Sequence, residues 1–271
     1  MTIVSFSEAM TFQSCKRQYY YKFGLGLSPV EESNAITTGV NGHKLLEIFY
    51  KAMAEGLTKE KAIAKMAHSV PHDDLSPEML KPYFLVKNYL TELDLTNIET
   101  IFVEKSFKVP LADRFDLHVG FTPDLVLLWY GRKLLVEDYK FVGRAWTKNK
   151  LSRFSQLNLY NLFLTEAGYE INKAILRFFN ITTNKIEYKL YDPSDDERRI
   201  LRHDFLKVAI EIQEFKERPV AEQNIFGTRT FNYNTCQYCP FVFPCTLEAQ
   251  GKDASKTLAT QYKENQYGYE Q

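Results

Sequence analysis

An excess of one charge is the first thing this sequence lacks. Its 34 Lys and Arg are matched by 34 Asp and Glu over 271 residues. There is none of the bulk basicity that nonspecific nucleic-acid binders often carry, so any contact with a polyanion must come from local patches. Also absent are an apolar run long enough to cross a bilayer and, in the N-terminal MTIVSFSEAM, a basic segment followed by a hydrophobic one. These absences exclude a membrane partner and predict a cytoplasmic location. Cysteine is scarce, and four cysteines in that compartment point to metal ligands or free thiols rather than disulfides. What is present is globular. A content of 45% hydrophobic and 25% charged residues can bury a substantial core, as one large α/β domain or a core with an appendage. The aromatic content, 14% with 17 Tyr, suits base stacking and equally suits a large core.

The candidate chemistry lies between His118 and Lys140, HVGFTPDLVLLWYGRKLLVEDYK. Alternating and β-branched apolar residues flank Tyr130-Gly131-Arg132, a turn-like triplet with Gly at its centre, and this predicts a hairpin. With a three-residue loop Trp129 faces Lys133, and counting back along the ladder sets Asp124 opposite Asp138. Directly opposed side chains have Cβ atoms roughly 4.5–5.5 Å apart, where like charges destabilise a sheet unless something compensates them. A divalent cation is the usual compensation. The strand's period of two turns Lys140 to the face of Asp138, and Glu137 and Tyr139 to the other. Hard oxygen ligands suit Mg²⁺ or Mn²⁺. A lysine beside them can orient or deprotonate an attacking water and stabilise the charge that grows on phosphorus. Asp-x-Lys alone is a common tripeptide that would pass as surface charge on an ordinary hairpin; Pro123-Asp124 and the turn-to-turn register favour a site.

Before the hairpin, Ser5 to Phe23 reads as a capped helix, Thr38 to about Ala54 as a second, and Thr58 to His68 and Pro77 to Glu92, punctuated by Pro82, as two more. A strand is expected from Ile98 to Val109, with Glu104 either near the hairpin's carboxylates or simply solvated. After it, Phe141 to Lys150 is an irregular basic stretch in which Arg144, Lys148 and Lys150 could hold phosphates and Trp146 could stack on a base; a solvated loop is the equal alternative. A helix over Leu151 to Ala167 puts Gln156 and Tyr160 on one face. Strands over Asn172 to Ile181 and Lys185 to Leu190 precede a long helix from Ser194 to Glu217.

Late in the chain Cys236, Cys239 and Cys245 form a C-x₂-C-x₅-C run, and the fourth cysteine is Cys15. Four thiolates complete a tetrahedral set for either Zn²⁺ or a [4Fe–4S] cluster, and spacing does not choose between them.

Pro123-Asp124 with Asp138-Tyr139-Lys140 resembles the PD-(D/E)xK nuclease signature. In the RecB-like branch an early helix carries a G-x-x-x-H motif, which Gly39-Val40-Asn41-Gly42-His43 resembles, and a Q-x-x-x-Y motif follows the lysine strand, which Gln156 and Tyr160 match. One early cysteine with a late C-x₂-C-x₅-C is similar to the iron–sulfur staple of Cas4-type and AddB-type nucleases, although those commonly have Pro where this chain has Lys16. The resemblance runs from Ser5 to Cys245. It implies a restriction-endonuclease-like α/β core, a central mixed sheet flanked by helices, with a helical part at residues 1–95 that contributes Cys15 and His43, the core at 96–220 and a Cys-ligated segment at 221–249. Residues 250–271, polar and poor in apolar side chains, are expected to form a loose tail.

The same resemblance implies a metal-dependent DNA nuclease of the exonuclease kind, acting on single-stranded or end-presented DNA in replication, recombination or repair, in a bacterial, archaeal or phage-infected cell. Asp124, Asp138, His43 and the Tyr139 carbonyl would hold Mg²⁺ or Mn²⁺, the imidazole leaning towards Mn²⁺. Lys140 would position the water, Gln156 and Tyr160 would hold substrate or the lysine, and Cys15, Cys236, Cys239 and Cys245 would hold a [4Fe–4S] cluster, with Zn²⁺ as the alternative. There is no helicase motif, so any unwinding would fall to a helicase or recombination partner. A DNA-binding or assembly subunit without nuclease activity is the rival reading.

Overall fold

The computed structural model describes residues 1–71, 76–143, 156–230 and 232–264. Two compact units are each assembled from separated stretches, one from 33–107 and 121–202, the other from 1–32, 108–120 and 203–271. The consecutive segments expected from the sequence divide the chain differently. No helix among the described residues is long and apolar enough to cross a membrane.

The first unit is built on a five-stranded mixed sheet flanked by helices, the central mixed sheet that the resemblance implies. Its strands, numbered in chain order within the unit, are β1 (Ile98–Val103), β2 (Leu125–Trp129), β3 (Lys133–Val142), β4 (Ile171–Asn180) and β5 (Lys185–Tyr191). They lie in the order β1-β2-β3-β4-β5; β3 and β4 run parallel and every other neighbour pair is antiparallel. The β2–β3 hairpin turns through Tyr130 at φ 52° and Gly131 at φ 62°, the left-handed region that a short hairpin loop needs. Trp129 pairs with Lys133, as the sequence predicts.

Helix α1 (Asn34–Ala54) starts four residues earlier than expected because the Ser33 side chain caps it, accepting the Ile36 amide. Its buried Leu45, Leu46, Phe49 and Tyr50 recur at the helical period and pack with Tyr139 and Phe179 of the sheet. Helices α2 (Lys59–His68) and α3 (Pro77–Glu92) complete this layer. Pro82 stands inside α3 without breaking it. Proline has no N–H for the carbonyl four residues back, here Glu78, and Asn41 Nδ2 of α1 donates to that oxygen at 3.0 Å.

The expected single strand from Ile98 to Val109 is two strands, β1 and Phe107–Ala112. Glu104 ends the first at φ 48°, a left-handed conformation uncommon for a residue with a Cβ. Of the expected helix over Leu151 to Ala167, α4 (Gln156–Glu166) falls within the described residues.

In the second unit the helix expected from Ser5 to Phe23 is interrupted. Phe6–Ser14 is capped by Ser5 and Glu8 in a capping box, Cys15 is extended at φ −165° and ψ 111°, and Lys16–Tyr19 continues into a wider π turn at Tyr20–Gly24. The stretch expected to be a loose tail contains helix Ser255–Gln261 and strand Tyr262–Glu264, which pairs antiparallel with Leu27–Pro29. Aromatic packing holds it. The Tyr262 ring stacks on Phe241 with centroids 5.1 Å apart, and its hydroxyl donates to the Pro240 carbonyl at 2.7 Å.

Candidate active site

The hairpin ladder pairs Leu125 with Glu137 and ends there. Continued by one residue, that register sets Asp124 opposite Asp138 as the register count expects, although the pairing itself stops at Leu125. The Asp124 carbonyl accepts the Glu104 amide at 3.1 Å, and its side-chain Oδ2 accepts the Tyr139 amide at 2.7 Å. Side chain thus replaces main chain at the next rung, which fixes the Asp124 carboxylate against β3.

Ligand atoms of His43, Glu104 and Asp124 all lie within 4.8 Å of one another. His43 Nδ1 is 3.3 Å from Asp124 Oδ2 and 4.0 Å from Glu104 Oε1, and the His43 ring also hydrogen-bonds the Tyr139 backbone. The sequence leaves Glu104 undecided between this site and solvent. Its placement depends on the strand break, and an acidic residue at a left-handed position is a signal that hydropathy patterns do not carry.

Asp138 lies outside that trio and is fully buried, with Oδ2 held by Lys140 Nζ at 2.6 Å. Its Oδ1 has no hydrogen-bond partner among the described residues. Beyond the lysine a chain of contacts continues. Lys140 Nζ is 3.4 Å from Gln156 Oε1, Gln156 Nε2 donates to the Tyr160 hydroxyl at 2.6 Å, and that hydroxyl donates to the Thr122 carbonyl at 3.1 Å. Gln156 thus contacts both the lysine and Tyr160, and Tyr160 reaches the loop before Asp124.

Burial and mutual repulsion oppose ionisation here. Burial pushes the Asp124 and Asp138 carboxyls up to about 6 despite the nearby Lys140 ammonium. Burial, then Asp124 and Glu47, push Glu104 up to about 7. His43 is lowered, first by burial and then by Lys140, which leaves the neutral imidazole that a metal requires.

In the second unit Cys15, Cys236, Cys239 and Cys245 line one cavity of about 340 Å³ together with Arg17, Arg229 and Phe241. The extended Cys15 between two helices supplies one wall. The Cys239 thiol is pushed up to about 11, first by burial, with the other three thiols adding to the effect. Arg17, itself buried, pairs with Glu248 beside them.

A profile of the PD-(D/E)XK nuclease superfamily matches residues 3–246. The chain belongs to that superfamily. The matched span takes in the hairpin, His43, Gln156, Tyr160 and all four cysteines. In solved structures, the superfamily member described here is similar to the protein SSO0001, at 15% identity and TM-score 0.40 over 88% of this chain and 83% of that one. It is also similar to a candidate exonuclease from Eubacterium rectale, at 10% identity and TM-score 0.49 over 86% and 87%. Comparison with curated proteins gives no match.

PD-(D/E)XK nucleases use divalent metals, and this donor set fits one. Three buried or half-buried carboxyls with raised pKa values and an unpartnered carboxylate oxygen form a site short of positive charge. Arg144, Trp146, Lys148 and Lys150, the candidate phosphate and base contacts, lie outside the described residues.

Proposed function

We propose that this PD-(D/E)XK nuclease is a Mg²⁺- or Mn²⁺-dependent deoxyribonuclease that degrades DNA from single-stranded or otherwise exposed ends. The observation that carries the reading is the meeting of His43, Glu104 and Asp124 beside the Asp138–Lys140 pair. Asp124, Asp138, Glu104, His43 and the Tyr139 carbonyl would hold the cation. A divalent ion bound there supplies Lewis acidity towards the scissile phosphate and its attacking water. Lys140, bridged between Asp138 and Gln156, is placed to orient that water and to offset charge developing on the phosphate. Gln156 and Tyr160 hold the ammonium in place. End-directed cleavage follows from the resemblance to RecB-like enzymes.

In the second unit the four thiols would hold a [4Fe–4S] cluster. Zn–S bonds of about 2.3 Å place tetrahedral sulfurs about 3.8 Å apart, whereas the ligand atoms grouped within 4.8 Å among the described residues are those of His43, Glu104 and Asp124, not the cysteines.

The test is the purified protein with Mg²⁺ or Mn²⁺ on end-labelled single- and double-stranded DNA, compared with circular single strands. Metal-dependent loss of linear DNA with circles spared is the expected result, and equal cleavage of circles would replace the end-directed reading with an endonuclease. Anaerobic preparations should contain about four iron and four sulfide per chain; stoichiometric zinc in their place would reassign the metal.

A further inference from the structure

Strand β5 is the edge of the five-stranded sheet among the described residues, paired with β4 alone. Its sequence, Lys185-Ile186-Glu187-Tyr188-Lys189-Leu190-Tyr191, has two distinct faces. On one, Ile186 packs against the core cluster while Tyr188 and Leu190 remain 59% and 55% exposed. On the other, Glu187 and Lys189 are exposed and have no ion-pair partner among the described residues. An unpaired edge with exposed apolar groups is a template for another strand.

We infer that this edge pairs antiparallel with the same edge of a second copy of this chain, about a twofold axis through Tyr188. That register sets Glu187 opposite the second copy's Lys189 and, by symmetry, Lys189 opposite its Glu187. Tyr188 meets its own counterpart, and Ile186 meets Leu190. Every cross-strand pair is then opposite in charge, aromatic or apolar, apart from Lys185 with Tyr191, and each complementary pair adds to the stability of a sheet. Charges on an edge can also serve only to keep strands apart. A strand designed to repel its own copy would carry like charges at mirror positions, and here the mirror positions carry opposite charges. A two-copy arrangement also covers Tyr188 and Leu190, which the single copy leaves in water. The isologous geometry closes, so pairing stops at two.

Seven residues a side is a small interface, so the dimer forms with a dissociation constant on the order of 10–100 µM. Sedimentation equilibrium from about 1 to 300 µM, under reducing conditions that exclude cysteine cross-links, is the experiment. Wild type is compared with Glu187→Lys, Lys189→Glu and the double exchange, and matching melting temperatures show that all four remain folded. Each single reversal should weaken the dimer by about tenfold or more, since it creates two like-charge oppositions at once. The double exchange should return it to within about threefold of wild type. A wild-type monomer throughout, a dimer indifferent to both reversals, or a double exchange that restores nothing would each overturn the proposed pairing.

Discussion

A Cβ on Gly42 would clash with the Cζ, Cε1 and Cε2 atoms of the Phe141 ring. The Phe141 ring of the strand that carries Lys140 therefore packs directly on the backbone of the helix that carries His43, one residue from each functional group. In the G-x-x-x-H resemblance the glycine is Gly39, yet a Cβ there meets nothing within 4 Å.

Gly42→Ala should therefore destabilise the protein by about 1–3 kcal/mol through overpacking and move His43 away from Asp124, lowering Mn²⁺ affinity. Gly39→Ala, in open space on the same helix, should stabilise by roughly 0.5–1 kcal/mol. Urea denaturation of the two variants separates these signs, and equal effects would show that the Gly42–Phe141 approach is not tight.

Asn41 serves the carbonyl of Glu78 that Pro82 leaves without an N–H. Asn41→Ala should cost about 1–2 kcal/mol in the wild type. With Pro82→Ala, which restores an N–H to that carbonyl, the same change should cost much less. A double-mutant cycle measures the coupling, and additive effects would dismiss it.

The raised carboxyl groups set a pH dependence. Groups that bind protons more tightly folded than unfolded contribute stability fully present below the unfolded carboxylate pKa, near 4. With folded values of about 6 for Asp124 and Asp138 and about 7 for Glu104, that stability is lost as pH rises through about 6 to 7. A bound cation compensates the ionised forms. Mn²⁺ should thus raise the melting temperature more at about pH 8 than at about pH 5, and Glu104→Gln should reduce the difference. A metal effect independent of pH would contradict the assignment.

Cys15 and the late cysteines are joined through one cavity. If they share a cluster, Cys15→Ser should loosen the helix at Phe6–Ser14 and the segment at 236–245 together, seen as faster amide exchange in both. A packed thiol alone would disturb only its own surroundings.

Much of this was legible in the sequence because period and turn chemistry are local. The hairpin register follows from Tyr130-Gly131-Arg132, and the shared face of Asp138 and Lys140 from the strand's period of two. Helix α3 was legible from Pro77 to Glu92, although the partner for Glu78 came from a distant helix. The parts that were not legible depend on long-range contacts. Glu104 joins the site because the strand breaks there, and the Ile98-to-Val109 pattern looks continuous. Asp124 is held by two hydrogen bonds to distant residues, its carbonyl accepting the Glu104 amide and its carboxylate the Tyr139 amide. Tyr262 orders a polar stretch by stacking on Phe241, a contact that composition does not reveal.

The central claim is that the hairpin carboxylates hold a catalytic cation and Lys140 acts beside it. Its most direct test is Mn²⁺ binding and single-turnover DNA cleavage measured together on wild type, Asp138→Asn and Lys140→Ala. Asp138→Asn should lose both, with cleavage down at least about 10²-fold, while Lys140→Ala should keep Mn²⁺ binding and lose cleavage to a similar degree. Wild-type cleavage rates in both variants would contradict the account.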